Sequence, residues 1–182
     1  MAIYELEDRR PKVHPGAYVH PLASVIGAVT IGDRCFIGPG ASLRAEWCEI
    51  VIGDKTSVQD SSTIHGGLGQ VVRIGEGTHL GHGAVVHGST VGKGVLIGMN
   101  AVVNDGAEVG DYAIVGAGCI VPRNMKIPSR KVVVGVPARV VGEVSEAEVK
   151  RMTEGENMYA SLPPRYAAGL REISKEEAGE NI

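Results

Sequence analysis

The chain has 182 residues, with 26 Gly, one Trp, one Phe and five Tyr, and a net charge of −3. That length suits one domain. Glycine at about twice ordinary usage disfavours a helical bundle, and a core so poor in aromatics must be built from aliphatic side chains. The acidic balance (pI near 6.1) argues against a nucleic-acid-binding face, and no apolar run reaches the roughly 18–20 residues that span a bilayer. The stretch Met1-Ala2-Ile3-Tyr4-Glu5-Leu6 has no basic-then-apolar export pattern, so a cytoplasmic location is expected.

From Val13 onward an aliphatic residue recurs every six positions, at Val13, Val19, Val25, Ile31, Ile37 and Leu43. The series resumes at Ile52, Val58 and Ile64, at Ile74, Leu80 and Val86, and at Val91, Ile97, Val103, Val109, Val115 and Val121. Small or β-branched residues such as Ala23, Ala41, Thr56, Ser62, Thr78 and Ala84 sit two places before many of them, and Gly often follows. A period of six fits neither a helix nor a free amphipathic strand; it is the signature of a parallel β-helix with three short faces per coil, here about six coils. No helical segment long enough for βαβ units separates the repeats. Cys35, Cys48 and Cys119 all fall inside the repeat and read as reduced side chains rather than a disulfide set.

The breaks in period are informative. Three residues are inserted between Leu43 and Ile52 and four between Ile64 and Ile74, while one is lost between Val86 and Val91. Insertions in a solenoid emerge as loops on one edge and often mark the working side. After Val121 the pattern dissolves around Pro122 and Pro128 into a capping coil, so residues 1–142 form the β-helix and residues 143–182 a C-terminal helix and polar tail. Ser145 and Glu148 form a capping box that opens this helix, which the spacing carries to Met158 or Tyr159 before Pro163-Pro164 ends it. The last residues, from Ser174, read as frayed.

Counted from the inward aliphatics, Arg44, His65 and His87 each stand one place after Leu43, Ile64 and Val86, which puts them on one face of successive coils, about 4.8 Å apart. His82 and Asp60, next to Gln59, occupy an adjacent face in successive coils. His65 and His87 can therefore share a metal, whereas His82 is turned about a third of a revolution away. A threefold assembly resolves this, one chain supplying His65 and His87 and its neighbour His82. Three imidazoles with an open position is the arrangement of catalytic zinc. His14, His20 and His79 lack comparable partners and are read as inert.

The segments Leu43-Arg44-Ala45-Glu46, Val58-Gln59-Asp60, Ile64-His65-Gly66 and Gly81-His82-Gly83-Ala84-Val85-Val86-His87 resemble the γ-class carbonic anhydrases and their hexapeptide-repeat relatives. The resemblance implies an all-β fold, a left-handed parallel β-helix with a C-terminal α-helix, assembled as a homotrimer with Zn2+ (Fe2+ or Co2+ as alternatives) at each interface. It implies reversible hydration of CO2 to bicarbonate by a metal-bound hydroxide. Gln59 would orient that hydroxide, Arg44, Glu46 and Asp60 would hold the interface, and Tyr159 would reach the site from the helix. Glu46 departs from the Asp usual in the family. The loop Gly66-Gly67-Leu68-Gly69-Gln70 lacks the proton-shuttling glutamate of fast members and Trp47 replaces a second one, so CO2 hydration should be slow or absent.

Met1-Ala-Ile-Tyr4, Gly98-Met-Asn-Ala-Val-Val103 and the region from Tyr159 to Arg171 are similar to a branch of hexapeptide proteins from phenylacetate and carnitine pathways, which implies acyl-CoA thioester hydrolysis at the same metal site. Trp47 and the short neutral loop suit that larger, apolar substrate. A metal-free hexapeptide acyltransferase and a non-catalytic metal-binding protein complete the alternatives. The small-molecule partner is accordingly CO2 or bicarbonate, or an acyl-CoA; neither nucleic acid nor a membrane is expected.

Overall fold

A computed structural model of the chain describes residues 2–179. Its repeats wind into a parallel β-solenoid with a C-terminal helical segment, as the six-residue period requires. Each inward aliphatic from Val25 to Val121 is 3% exposed or less, so the hexapeptide positions form one continuous column of Val, Ile and Leu. Short strands of two to four residues carry most faces. Two long strands, Ser24–Ile31 and Ser42–Ile52, run across a corner and merge two of the three faces into one bent sheet, while the third face is a separate sheet. The pairing between these long strands slips between Gly27 and Val29, where the second strand accommodates its inserted residues.

The small residues two places before each aliphatic are buried at the inside of the corners. Three of the polar ones find an acceptor on the next coil: Thr56 Oγ1 donates to the Gly75 carbonyl at 2.9 Å, Ser62 Oγ to Gly81 at 3.0 Å and Thr78 Oγ1 to Gly92 at 2.7 Å, whereas Ser89 Oγ, before Val91, is buried without a partner. The three bonded hydroxyls satisfy their donors without interrupting the column. The glycines after the aliphatics answer a different demand. A Cβ on Gly75 would lie 2.4 Å from the Gly92 carbonyl carbon and 2.5 Å from its oxygen, backbone atoms that have nowhere to go.

The repeat does not end at Val121. Ile127 (2% exposed) and Val133 (fully buried) continue the same spacing, in strands Lys126–Ile127 and Lys131–Val134 that pair with the coil before. Pro122 and Pro128 obscured this in the sequence, yet both lie between strands, where a missing N–H breaks no ladder bond. The last strand, Arg139–Glu143, returns antiparallel to Lys131–Val134.

Helix α1 covers Glu146–Ala160 behind the expected capping box, the Ser145 amide donating to Glu148 Oε2 at 2.7 Å and the Glu148 amide to Ser145 Oγ at 3.3 Å. Pro163-Pro164 does not end the helical region but starts α2, Leu162–Gly169; proline is tolerated in a first turn because its absent N–H would have no partner there. The tail is not wholly frayed either: Lys175–Gly179 forms a single-turn helix, α3, capped by Ser174, whose Oγ accepts from the Glu177 amide at 3.1 Å. No helix among the described residues is long and apolar enough to cross a membrane.

The helices lie against the outer side of the separate sheet. There the residues just before the inward aliphatics form a ladder of Tyr18, Phe36, Ser57, His79, Leu96 and Ile114, paired coil to coil. Tyr166 fills its lower part, 5.3 Å from Tyr18 and 5.0 Å from Phe36, and Tyr159 lies 5.4 Å from His79. Tyr18, Phe36, His79, Tyr159 and Tyr166 thus serve to dock the C-terminal segment rather than to fill the solenoid core.

Candidate metal centre and adjoining cavity

The register Arg44↔His65↔His87 across three successive coils is present as the spacing requires. His65 Nδ1 and His87 Nε2 face each other at 3.1 Å. Two imidazole nitrogens bound tetrahedrally to one ion at 2.0–2.1 Å would be about 3.3 Å apart, so the pair already has nearly the spacing of a shared ion. On the far side of the ring, His87 Nδ1 donates to Asp105 Oδ1 at 2.9 Å, which fixes the tautomer that leaves Nε2 as the free donor atom. Burial works to raise the Asp105 carboxyl, but hydrogen bonds from His87 and Gln70 and the charge of Arg123 hold it below the usual carboxylate range. His65 is shifted down, by burial first and then by the Arg44 and His87 charges.

Glu46 joins this cluster. Its Oε1 lies 3.3 Å from His65 Nε2 and also contacts Arg44, while Oε2 is buried with no hydrogen-bond partner. The two insertions frame the pair. The Gly69 amide donates to the Trp47 carbonyl at 2.9 Å, and the Gly67 amide to Gln70 Oε1 at 2.6 Å. Trp47 sits 6.3 Å from the His65 ring with 58% of its surface exposed, and Leu68 is 86% exposed, giving the site an apolar lip.

His82 occupies a different corner. Its Nδ1 is 3.1 Å from Asp60 Oδ2, one coil below, and half its side chain is exposed. Among the described residues no three His, Cys, Asp or Glu side chains converge on one point, so a chain alone offers the His65–His87 pair and, separately, His82.

Asp105 was not legible as part of the site. Its signal was its place one coil above His87, two residues after the inward Val103. Replacing it by Asn, which can present an N–H where His87 needs an acceptor, should weaken divalent-metal affinity about 10- to 100-fold with little change in Tm. Metal titration of the variant checks this.

Gln59 and Tyr159 lie on the helix-covered sheet, where they line a cavity of about 360 Å³ together with His79, Leu96, Ile114, Met152 and Gly155. His79 is not the partnerless residue that the sequence implied. It is 5% exposed, its Nδ1 lies 2.6 Å from Ser57 Oγ, and its Nε2 makes no hydrogen bond. The two residues are register partners, Ser57↔His79, at positions whose side chains leave the core.

Burial shifts His79 below its ordinary value, opposed by Glu156 and the Met152 carbonyl. The unfolded chain then binds a proton before the folded one does. The stability tied to neutral His79 is fully present above about pH 6.5, declines as the pH falls below it, and levels off once the folded-state value is passed. The stability difference between wild type and His79→Gln in urea titrations should therefore shrink between pH 7.5 and pH 5. A difference independent of pH would contradict it.

Comparison with known proteins agrees with this architecture. The family model for the bacterial transferase hexapeptide matches residues 10–45 and 88–123, and that for the hexapeptide repeat of succinyl-transferase matches residues 71–104. The carnitine operon protein CaiE of Escherichia coli is 39% identical over 174 residues, covering 94% of this chain and 88% of that protein. A Bacillus cereus protein described as a candidate acetyltransferase superposes with a TM-score of 0.89 at 29% identity, over 91% of this chain and 96% of the other. PerB from Caulobacter crescentus, solved with CoA and GDP-perosamine, gives a TM-score of 0.56 at 28% identity, over 72% of this chain and 57% of that one.

Proposed function

Since the chain belongs to the hexapeptide-repeat family, alongside the carnitine operon protein CaiE, we propose that it is an enzyme of acyl-CoA thioesters, hydrolysing them at a divalent-metal site shared between copies of a homotrimer. The observation that carries this reading is the His65–His87 pair under the apolar lip of Trp47 and Leu68. His65 and His87 of one copy and His82 of the next would hold the ion, with Zn2+ first and Fe2+ or Co2+ as alternatives. When bound, it would supply Lewis-acid polarisation of the thioester carbonyl.

The chain's own residues would do the rest. Glu46 Oε2, buried and unpartnered, takes a proton from the attacking water; the water oxygen bonds to the acyl carbon, the C–S bond breaks, and the proton passes to the departing thiolate. Gln59 offers a hydrogen bond to the reacting oxygen, Arg44 holds Glu46, and Asp60 orients His82. Tyr159 shares a cavity with Gln59 and bounds the space into which the acyl group can extend.

CO2 hydration is the second reading, favoured by the same three histidines. Against it, the segment 66–70 holds no ionisable side chain, and its polar residue, Gln70, is occupied by the Gly67 amide. Rapid CO2 hydration must export a proton every turnover, and nothing in this loop can carry one. Metal-reconstituted protein assayed in parallel for thiol release from acyl-CoA and for CO2 hydration tests both readings. Thiol release abolished by a chelator is expected; chelator-resistant acyl transfer to an added amine or alcohol would instead favour a metal-free acyltransferase.

A further inference from the structure

The outer ladder of the separate sheet is unevenly covered. At Tyr18 and Phe36 the rings of Tyr159 and Tyr166 pack against it, whereas a cavity lined by Leu96 and Ile114 remains beneath α1. The helix is itself opened there by Gly155, an interior helical glycine that costs about 1 kcal/mol relative to Ala. A Cβ at Gly155 would reach 3.7 Å from His79 Nε2, ordinary contact, so sterics do not demand glycine at this place. The cavity wall is mainly apolar, from Leu96, Ile114 and Met152, with Glu148 and Arg151 also lining it and the buried ring of His79, whose Nε2 makes no hydrogen bond, beneath. At one end lies Gln59, whose chain neighbour Asp60 holds His82. The cavity lining is therefore one residue along the chain from the carboxylate that holds the third proposed metal ligand.

We propose that this cavity receives the acyl chain of the thioester, with Gln59 toward the reacting carbonyl and Leu96, Ile114 and Met152 along the chain; this rests on the acyl-CoA reading above. The occupant follows from the lining. The side chains of Leu96, Ile114 and Met152 suit an aliphatic chain, and Gln59 ties the pocket to the reacting carbonyl. Chain length is then read by Gly155 and Leu96, far from the residues that hold the metal or move the proton.

The test uses the full-length, metal-loaded protein and three probes that cannot be hydrolysed: CoA, S-ethyl-CoA and S-hexyl-CoA thioethers, with affinities measured by calorimetry. S-hexyl-CoA should bind wild type at least ~10-fold more tightly than S-ethyl-CoA, since each buried methylene contributes about a fourfold gain. Gly155→Met and Leu96→Trp, which fill the cavity from opposite sides, should each bring that ratio close to one and leave CoA affinity within about twofold. Two variants guard against one of them failing to fold. A ratio unchanged in both folded variants, or no chain-length preference in wild type, overturns the pocket assignment while leaving thioester chemistry standing. Failure of all three probes to bind, together with absence of thiol release from any acyl-CoA, overturns the acyl-CoA reading and the pocket with it.

Discussion

Chains carrying His82→Ala and chains carrying His87→Ala, each metal-poor and at least ~100-fold less active alone, are expected to regain activity when refolded together. Each proposed site takes His65 and His87 from one copy and His82 from the next. In a random trimer a site is intact when a His82→Ala chain supplies the pair and a His87→Ala neighbour supplies the third ring. That combination occurs at about a quarter of the interfaces, so about a quarter of wild-type activity and metal content should return. Neither mutation touches the buried column, since both side chains stand outside the core and are partly exposed. Both variants should melt close to wild type once stripped of metal. Sites built within single chains would show no recovery at any mixing ratio, and that outcome would end the shared-site scheme.

The second large effect concerns one substitution made at two places. Gly75→Ala sets a methyl group within 2.4–2.5 Å of the Gly92 and Lys93 backbone in the next coil, and neither can yield without separating the coils. A cost of about 3 kcal/mol is expected, or a fall in Tm of about 8 °C. Gly155→Ala meets nothing nearer than 3.7 Å and removes a glycine from a helix interior, so it should raise stability by up to about 1 kcal/mol. Thermal melts of the two variants check the sign of each. Equal effects would mean that glycine acts only through chain entropy here, not through stacking.

The solenoid was legible because its period belongs to no other structure, and the insertions could be subtracted to recover the register of Arg44, His65 and His87. What escaped the sequence did so for identifiable reasons. Ile127 and Val133 kept the period, but Pro122 and Pro128 read as terminators, when in a solenoid made of two-residue strands proline has room between them. Pro163-Pro164 reads as a stop, yet proline after one helix is equally the first turn of the next. Asp105 was hidden by the residue lost between Val86 and Val91, which moves it out of simple register with His87. Nothing in the sequence marks Ser57 and His79, because the ladder before each aliphatic becomes a buried environment only once α1 lies over it. Whether CO2 or a thioester is consumed is carried by absent side chains in a loop, a weaker signal than any residue present.

The return of Arg139–Glu143 across the last coil has a consequence for how this protein behaves at high concentration. A stack of parallel strands ends in a row of unsatisfied amides and carbonyls that would accept another molecule's first coil, and so could grow without limit. Here the Ile120 amide is taken by the Gly135 carbonyl at 3.0 Å, the Ile120 carbonyl by the Ala138 amide at 2.8 Å, and the Arg130 carbonyl by the Val144 amide at 2.7 Å. Because the final strand runs the opposite way, it offers an incoming coil the wrong bonding pattern. A chain cut before Val136 would lose that plug and should elongate end to end into fibres.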